Sequence, residues 1–136
     1  EVGVVAEDEN AVTAASRMAE AVALSQRSDG ALPGRLDGDW RAAARWSCLT
    51  GNSQMAINWL RLAEIHGDRR LVDNAERANR FNISVQDRSS RHPGVRGGVK
   101  GSHPVDGGYM TYRYPNWAAK FFMDALMLEA GYPADR

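Results

Sequence analysis

Four stretches of the chain carry a helical spacing of apolar residues, and they alternate in kind. The first runs from about Asp8 to Leu24. Val12, Ala15, Met18, Ala19 and Val22 fall on one stripe, and Glu9, Thr13, Arg17 and Glu20 face away from it. The second runs from about Asn52 to Ile65 and is apolar almost all round. After Gln54 only Asn58, Arg61 and Glu64 interrupt it, at every third residue, so they form one narrow strip. Such a helix is predicted to be packed on most sides. The third, from about Arg69 to Ser84, is amphipathic again. Leu71, Val72, Ala75, Ala78 and Phe81 lie toward one side, against Arg70, Asp73, Asn74, Glu76, Arg77 and Arg80. The fourth, from about Pro115 to Glu129, returns to an apolar surface from Trp117 to Leu128, with Lys120 and Asp124 as an i,i+4 polar strip.

The boundaries follow from local chemistry. Glu7, Asp8 and Glu9 complement the positive end of the first helix. Gly67 suits the left-handed position that closes a helix, and Asp68 caps the next one at once. The second and third helices are therefore predicted to form a tight αα-hairpin. Pro115 fits a first helical turn, and Gly131 and Pro133 end the fourth helix. Asn52 and Asn116, opening the two apolar helices, are expected to be N-caps. Two long loops, 26–50 and 86–115, connect these elements. Asp29-Gly30 and Pro33-Gly34 mark turns in the first, which is expected to hold a short helical turn at Trp40–Ala44. Between Gln86 and Tyr114 the second carries six glycines and two prolines. Loops of this length in a compact chain are often functional.

The order amphipathic helix, long loop, apolar helix, tight turn occurs twice. Gln26…Pro33-Gly34 is echoed by Gln86…Pro93-Gly94 sixty residues later, and Asn52 is echoed by Asn116 after sixty-four. Self-similarity at a fixed spacing is a repeat signature. It predicts an all-α fold of two αα-hairpin repeats, in which four main helices alternate between an outer and an inner layer and both loops emerge on one face. At 136 residues the whole chain, 1–136, fits one domain.

The alternation resembles the (α/α) toroids of carbohydrate-active enzymes, in which six hairpins close a ring and the loops entering the inner helices line a cleft. The motifs Cys48-Leu49-Thr50-Gly51-Asn52-Ser53-Gln54, Arg96-Gly97-Gly98-Val99-Lys100-Gly101-Ser102 and Tyr114-Pro115-Asn116-Trp117-Ala118-Ala119-Lys120-Phe121 also resemble a group of bacterial toroid proteins. The resemblance spans residues 20–130 and implies a fold, with no activity attached. Four helices cannot close a ring of six hairpins. The chain is thus expected to be part of a longer toroid, as its opening on Glu1 also suggests, or to complete its core by association, with a homo-oligomer as the default.

Composition narrows the function classes. Seventeen basic and seventeen acidic residues balance, which argues against a nucleic-acid partner. The balance conceals an asymmetry: residues 1–39 hold eight acids against Arg17, Arg27 and Arg35, a net −5. Residues 86–117 hold five bases against Asp87 and Asp106, a net +3. No apolar run has membrane length. His66, His92 and His103 lack metal-ligand spacing, so neither metal nor cofactor is expected. Val99 precedes Lys100 where a phosphate-binding loop needs glycine. Cys48, the one cysteine, reads as a small hydrophobe. The sequon Asn82-Ile83-Ser84 reads as chance.

The loops carry the candidate chemistry. Asp37 and Asp39, with distant Asp106, supply carboxylates of the kind glycoside hydrolysis uses, against the plainer reading that they are turn aspartates. Trp40 and Trp46 offer faces for stacking on sugar rings or for packing. In the second loop, proton abstraction beside a uronate carboxylate would need a Tyr or His base and a cation on the carboxylate. Tyr109, Tyr112, His103 and Arg96 are the catalytic candidates for that lyase-like step. Trp40, Trp46, Asn52, Gln54, Lys100, Arg113 and Asn116 are the candidates for binding substrate. The leading expectation is a module that binds or processes a glycan in a cleft between loops 26–50 and 86–115. The alternative is a non-catalytic helical-repeat module that joins itself or a protein partner through its apolar inner helices. The enzyme reading requires Tyr109 or Tyr112, His103 and Arg96 to converge on one cavity. The alternative requires an apolar helix face left uncovered.

Overall fold

The computed structural model describes residues 1–132; Pro133, expected to help end the last helix, lies outside them. Helix α1 is a single turn, Val2–Val5, that the sequence pattern does not announce. Helix α2 spans Glu9–Leu24. Asp8 caps it, its carboxylate accepting from the amides of Asn10 and Ala11 at 3.0 and 3.1 Å. Helices α3 (Leu49–His66) and α4 (Arg69–Val85) form the expected hairpin, with Gly67 at φ 68° and Asp68 capping the amide of Arg70. Helix α5 spans Asn116–Ala130. Two short strands, β1 (Ser47–Cys48) and β2 (Ser102–His103), pair antiparallel, with Ser47 opposite His103 and Cys48 opposite Ser102. The described residues are thus mainly helical. The strand pair joins the two long loops on one face.

Helix α3 is the centre of the packing and lies against both α4 and α5. Trp59 and Leu60 of α3, Val72, Ala75 and Ala78 of α4, and Ala125 of α5 are buried together with Ala19 and Val22 of α2. Fully burying one large apolar side chain of this kind contributes about 1.5–3 kcal/mol. The Trp59 indole Nε1–H also donates to the Ala19 carbonyl at 3.0 Å, which ties α2 to α3 with a satisfied polar atom. The predicted polar strip of α3 holds: Asn58, Arg61 and Glu64 are exposed, as is Gln54 before them. A second apolar group, Leu49, Phe81, Val99, Ala118 and Phe122, lies under the loops.

Three local expectations are corrected. Helix α3 begins at Leu49, so Asn52 is inside its first turn and is not a cap. Pairing of Ser47-Cys48 with the second loop sets that start, and Cys48 takes the cap position, its Sγ accepting from the Gly51 amide at 3.3 Å. Helix α5 begins one residue after Pro115, which occupies the cap position, and Asn116 is exposed and makes no cap bond. The helical turn expected at Trp40–Ala44 is instead a tight reversal closed by an antiparallel bridge between Leu36 and Ala42. Asp37 drives it: its carboxylate accepts from the amides of Asp39 and Arg41 at 2.9 and 2.8 Å, which stabilises a turn over a helix.

Freed from capping, Asn52 anchors a buried polar network. Its Oδ1 accepts from the Leu32 amide and the Ser47 hydroxyl, both at 3.2 Å, and its Nδ2 donates to Asn82 Oδ1 at 3.2 Å. Asn82 Nδ2 in turn donates to the Leu49 carbonyl at 3.0 Å and to Ser53 Oγ at 2.9 Å. Asn82 is 1% exposed, which closes its sequon to modification in the folded chain. Truncating Asn82 would strand the buried Asn52 amide, where a lost partner costs about 1–3 kcal/mol. Asn82→Ala is expected to lower the unfolding free energy by about 3 kcal/mol in urea titrations. A loss below about 1 kcal/mol would show the network to be dispensable.

Candidate functional site at the joined loops

The loop face is held by Trp46. This residue precedes β1, and its ring fills the space left by three glycines from both loops. A Cβ on Gly34 would lie 2.1 Å from the Trp46 ring, one on Gly108 2.9 Å from it, and one on Gly107 2.8 Å from the Trp46 Cβ. The Gly34 amide also donates to the Trp46 carbonyl at 2.7 Å. Of the two readings open for Trp46, stacking on a sugar or packing, the geometry favours packing. Its contacts unite loops 26–50 and 86–115. Ser102 reinforces the union within the second loop: its hydroxyl donates to the Tyr109 carbonyl at 2.6 Å and accepts from the Tyr109 amide at 3.0 Å.

His103 lies on β2, its ring edge-on to Phe81 of α4 at 5.7 Å between centroids. The Arg27 guanidinium sits over the same Phe81 ring at 5.8 Å. Arg27 is itself held by Asp29 at 3.3 Å and donates to the Arg45 carbonyl at 3.1 Å. The imidazole Nδ1 is buried without a hydrogen-bond partner among the described residues. Burial, and then the positive charges of Lys100 and Arg27, hold its pKa below the ordinary 6.5, with Asp29 opposing them. The ring is thus kept neutral at pH 7.

The other catalytic candidates have contacts or exposure of their own. The Tyr109 hydroxyl accepts from the Trp117 indole of α5 at 3.0 Å. Tyr112 is 71% exposed, at a left-handed φ of 56°. Arg96 is exposed in a turn where its own amide donates to the His92 carbonyl. A cleft on this face lies between the end of α2 and the start of α3, lined by Leu32, Gly34, Arg35, Cys48, Asn52 and Met55 among others; Arg96, His103, Tyr109 and Tyr112 are not part of its wall. Cys48 in that wall has its thiol pushed above the ordinary range by burial, which disfavours the nucleophilic thiolate.

The binding candidates also divide. Asn52 is consumed by the buried network, while Gln54 and Asn116 are exposed on helices. Lys100 is half-buried near His103, and Arg113 is exposed, its carbonyl accepting from the Gly101 amide. Trp40 is exposed at the tip of the Leu36–Ala42 reversal, at a left-handed φ of 62°. Asp37 serves its own turn, and Asp39 pairs with Arg41 at 3.5 Å. Among the described residues no three His, Cys, Asp or Glu side chains cluster as metal ligands would. Nor is any helix among them long and apolar enough to cross a membrane. The signal missed in the sequence is the glycine set: Gly34, Gly107 and Gly108 read as flexible loop, whereas each clears space for one tryptophan.

The His103 environment has a pH consequence. Its folded pKa lies below the unfolded 6.5, so between the two values the unfolded chain binds a proton that the folded chain refuses. The wild-type chain is expected to lose more stability than His103→Gln as pH falls below about 6.5, with no difference in slope above it, in urea titrations at stepped pH. Parallel profiles across that range would mean that the ring is not set apart.

Comparison with known protein families, curated proteins and solved structures finds no match to this chain.

Proposed function

We propose that this chain is a non-catalytic helical-repeat module, built as two hairpins of an (α/α) toroid-like array, that associates through the outward face of α5. The observation that carries the reading is the contrast between its two apolar helices. Helix α3 is covered on both flanks and shows solvent mainly a polar strip. Helix α5 is more apolar, yet Trp117, Met123 and Met127 are 42, 59 and 74% exposed. At 3.6 residues per turn these three fall within an arc of about 120°, which Asn116, Lys120 and Asp124 share. Scattered exposed apolar residues are ordinary, but a helical stripe of them is a contact surface. Methionine and tryptophan are also residues that interface centres favour, and methionine adapts its shape to a partner. Arg96 and Tyr112 are exposed and the Tyr109 hydroxyl is engaged by the Trp117 indole, which supports a binding role over a catalytic one.

One observation favours a second reading, glycan contact on the loop face. Trp40 and Tyr112 both hold exposed rings on left-handed backbone, a conformation that costs a side-chain-bearing residue about 1 kcal/mol and tends to persist at binding surfaces.

Two experiments test these readings. In sedimentation velocity, the wild-type chain is expected to gain mass with concentration, and Met123→Glu with Met127→Glu to remain monomeric with an unchanged far-ultraviolet spectrum. Wild-type chain that stays monomeric at several hundred micromolar, or a variant that associates like wild type, overturns the association reading. For the glycan contact, Trp40→Ala with Tyr112→Ala is expected to weaken retardation on immobilised acidic and neutral polysaccharides at least about tenfold. Equal migration of both proteins on every polysaccharide would remove that reading.

A further inference from the structure

The cleft between the end of α2 and the start of α3 encloses about 290 Å³. That is near the lower end of small-molecule sites, which are hollows with mostly apolar walls and a few placed polar groups. Its apolar wall comes from three parts of the chain: Val22 of α2, Leu32 and Leu36 of the first loop, and Met55 of α3. Val22 and Leu32 are buried, and Met55 is half-buried, with a flexible side chain that adapts to what it touches. No residue of α5 contributes to the wall, so the cleft is independent of the association proposed through that helix.

The polar groups of the wall decide which ligand fits, and most are already committed. The Leu32 amide donates to Asn52 Oδ1, the Gly34 amide to the Trp46 carbonyl and the Gly51 amide to Cys48 Sγ. Asn52 turns its carboxamide to Ser47 and Asn82 in the buried network. Arg35 differs. It is the one charged residue of the wall among the described residues, it is exposed, and its guanidinium has no hydrogen bond or ion pair among them. In the same loop Arg27 pairs with Asp29 at 3.3 Å and Arg41 with Asp39 at 3.5 Å. Asp37, two residues from Arg35, directs its carboxylate to the amides of Asp39 and Arg41. A guanidinium is a planar fork that matches a carboxylate with two parallel hydrogen bonds, and one guanidinium balances one negative charge. From the apolar hollow and its single free cation we infer that the cleft is a binding site for a small monocarboxylate with a compact apolar body. Arg35 holds the carboxylate, and Leu32, Leu36 and Met55 receive the body.

The test uses the full chain and octanoate, with 1-octanol and acetate as probes that lack its charge or its body. Cys48 lines the same cleft and is the one cysteine of the chain, so its alkylation by neutral iodoacetamide reports occupancy through the mass of the intact chain. Octanoate, far below its micelle concentration, is expected to bind in titration calorimetry and to slow that alkylation. The two control probes are expected to bind at least about tenfold more weakly. Arg35→Gln, at an exposed position, is expected to lose at least about tenfold in octanoate affinity with an unchanged far-ultraviolet spectrum, and Arg35→Lys to lose less. Absence of octanoate binding overturns the inference. Equal affinity for octanoate and 1-octanol, or equal affinity of Arg35→Gln and wild type, overturns it too, because the hollow then selects no charge. Binding that leaves Cys48 alkylation unchanged puts the acid outside the cleft and removes the site. None of these outcomes bears on the association through α5.

Discussion

The contact between Asn52 and Asn82 is the constraint on which the loop end of the molecule depends. Two carboxamides from α3 and α4 meet in a buried site, and each would be costly there alone. Between them they satisfy a loop amide at Leu32, two hydroxyls at Ser47 and Ser53, and the first carbonyl of α3 at Leu49. An apolar pair of equal volume could fill the same space. It could not specify where the first loop lies on the hairpin, because nothing else described at this point receives the Leu32 amide. The gain from such a network is chiefly definition of geometry, since full satisfaction only offsets desolvation.

The two apolar helices show that composition does not determine burial. Helix α5 is the more apolar, with eleven such residues of fifteen against nine of eighteen in α3, but Trp59 of α3 is fully enclosed and Met127 of α5 is largely open to solvent. The difference lies in neighbours. Helix α3 has a hairpin partner in α4 and a second flank in α5, whereas the outward side of α5 meets no other described helix to the same degree. A helix apolar on every side thus reports how many contacts it can support, and the surrounding chain decides how many it has.

The helices were legible because their signal is periodic and long. The stripe of α2, the narrow polar strip of α3 and the Gly67-Asp68 turn each follow from spacing that single residues cannot blur. The starts of α3 and α5 were not legible, because an asparagine ahead of an apolar run can serve as a cap or as a buried partner, and only the fold chooses. The fold chose burial for Asn52 and exposure for Asn116. The Leu36–Ala42 reversal was hidden by the helix-favouring Ala42-Ala43-Ala44, over which the local hydrogen bonds of Asp37 prevailed. The β1–β2 pair could not be seen either, since two-residue strands have no period. Of the candidate site, the residue types were visible but their placement was not, because it rests on contacts between distant segments, as where Ser47 lies opposite His103.

Trp46 also links motions. Its ring touches Gly34 on one loop and Gly107 and Gly108 on the other, and its main chain runs directly into β1 and the first turn of α3. Neither loop can shift without displacing the indole, and the indole cannot shift without straining the start of the central helix. The two loops therefore form one mechanical body with α3, so a disturbance at the tip of either is transmitted to the other through this side chain and the β1–β2 pair.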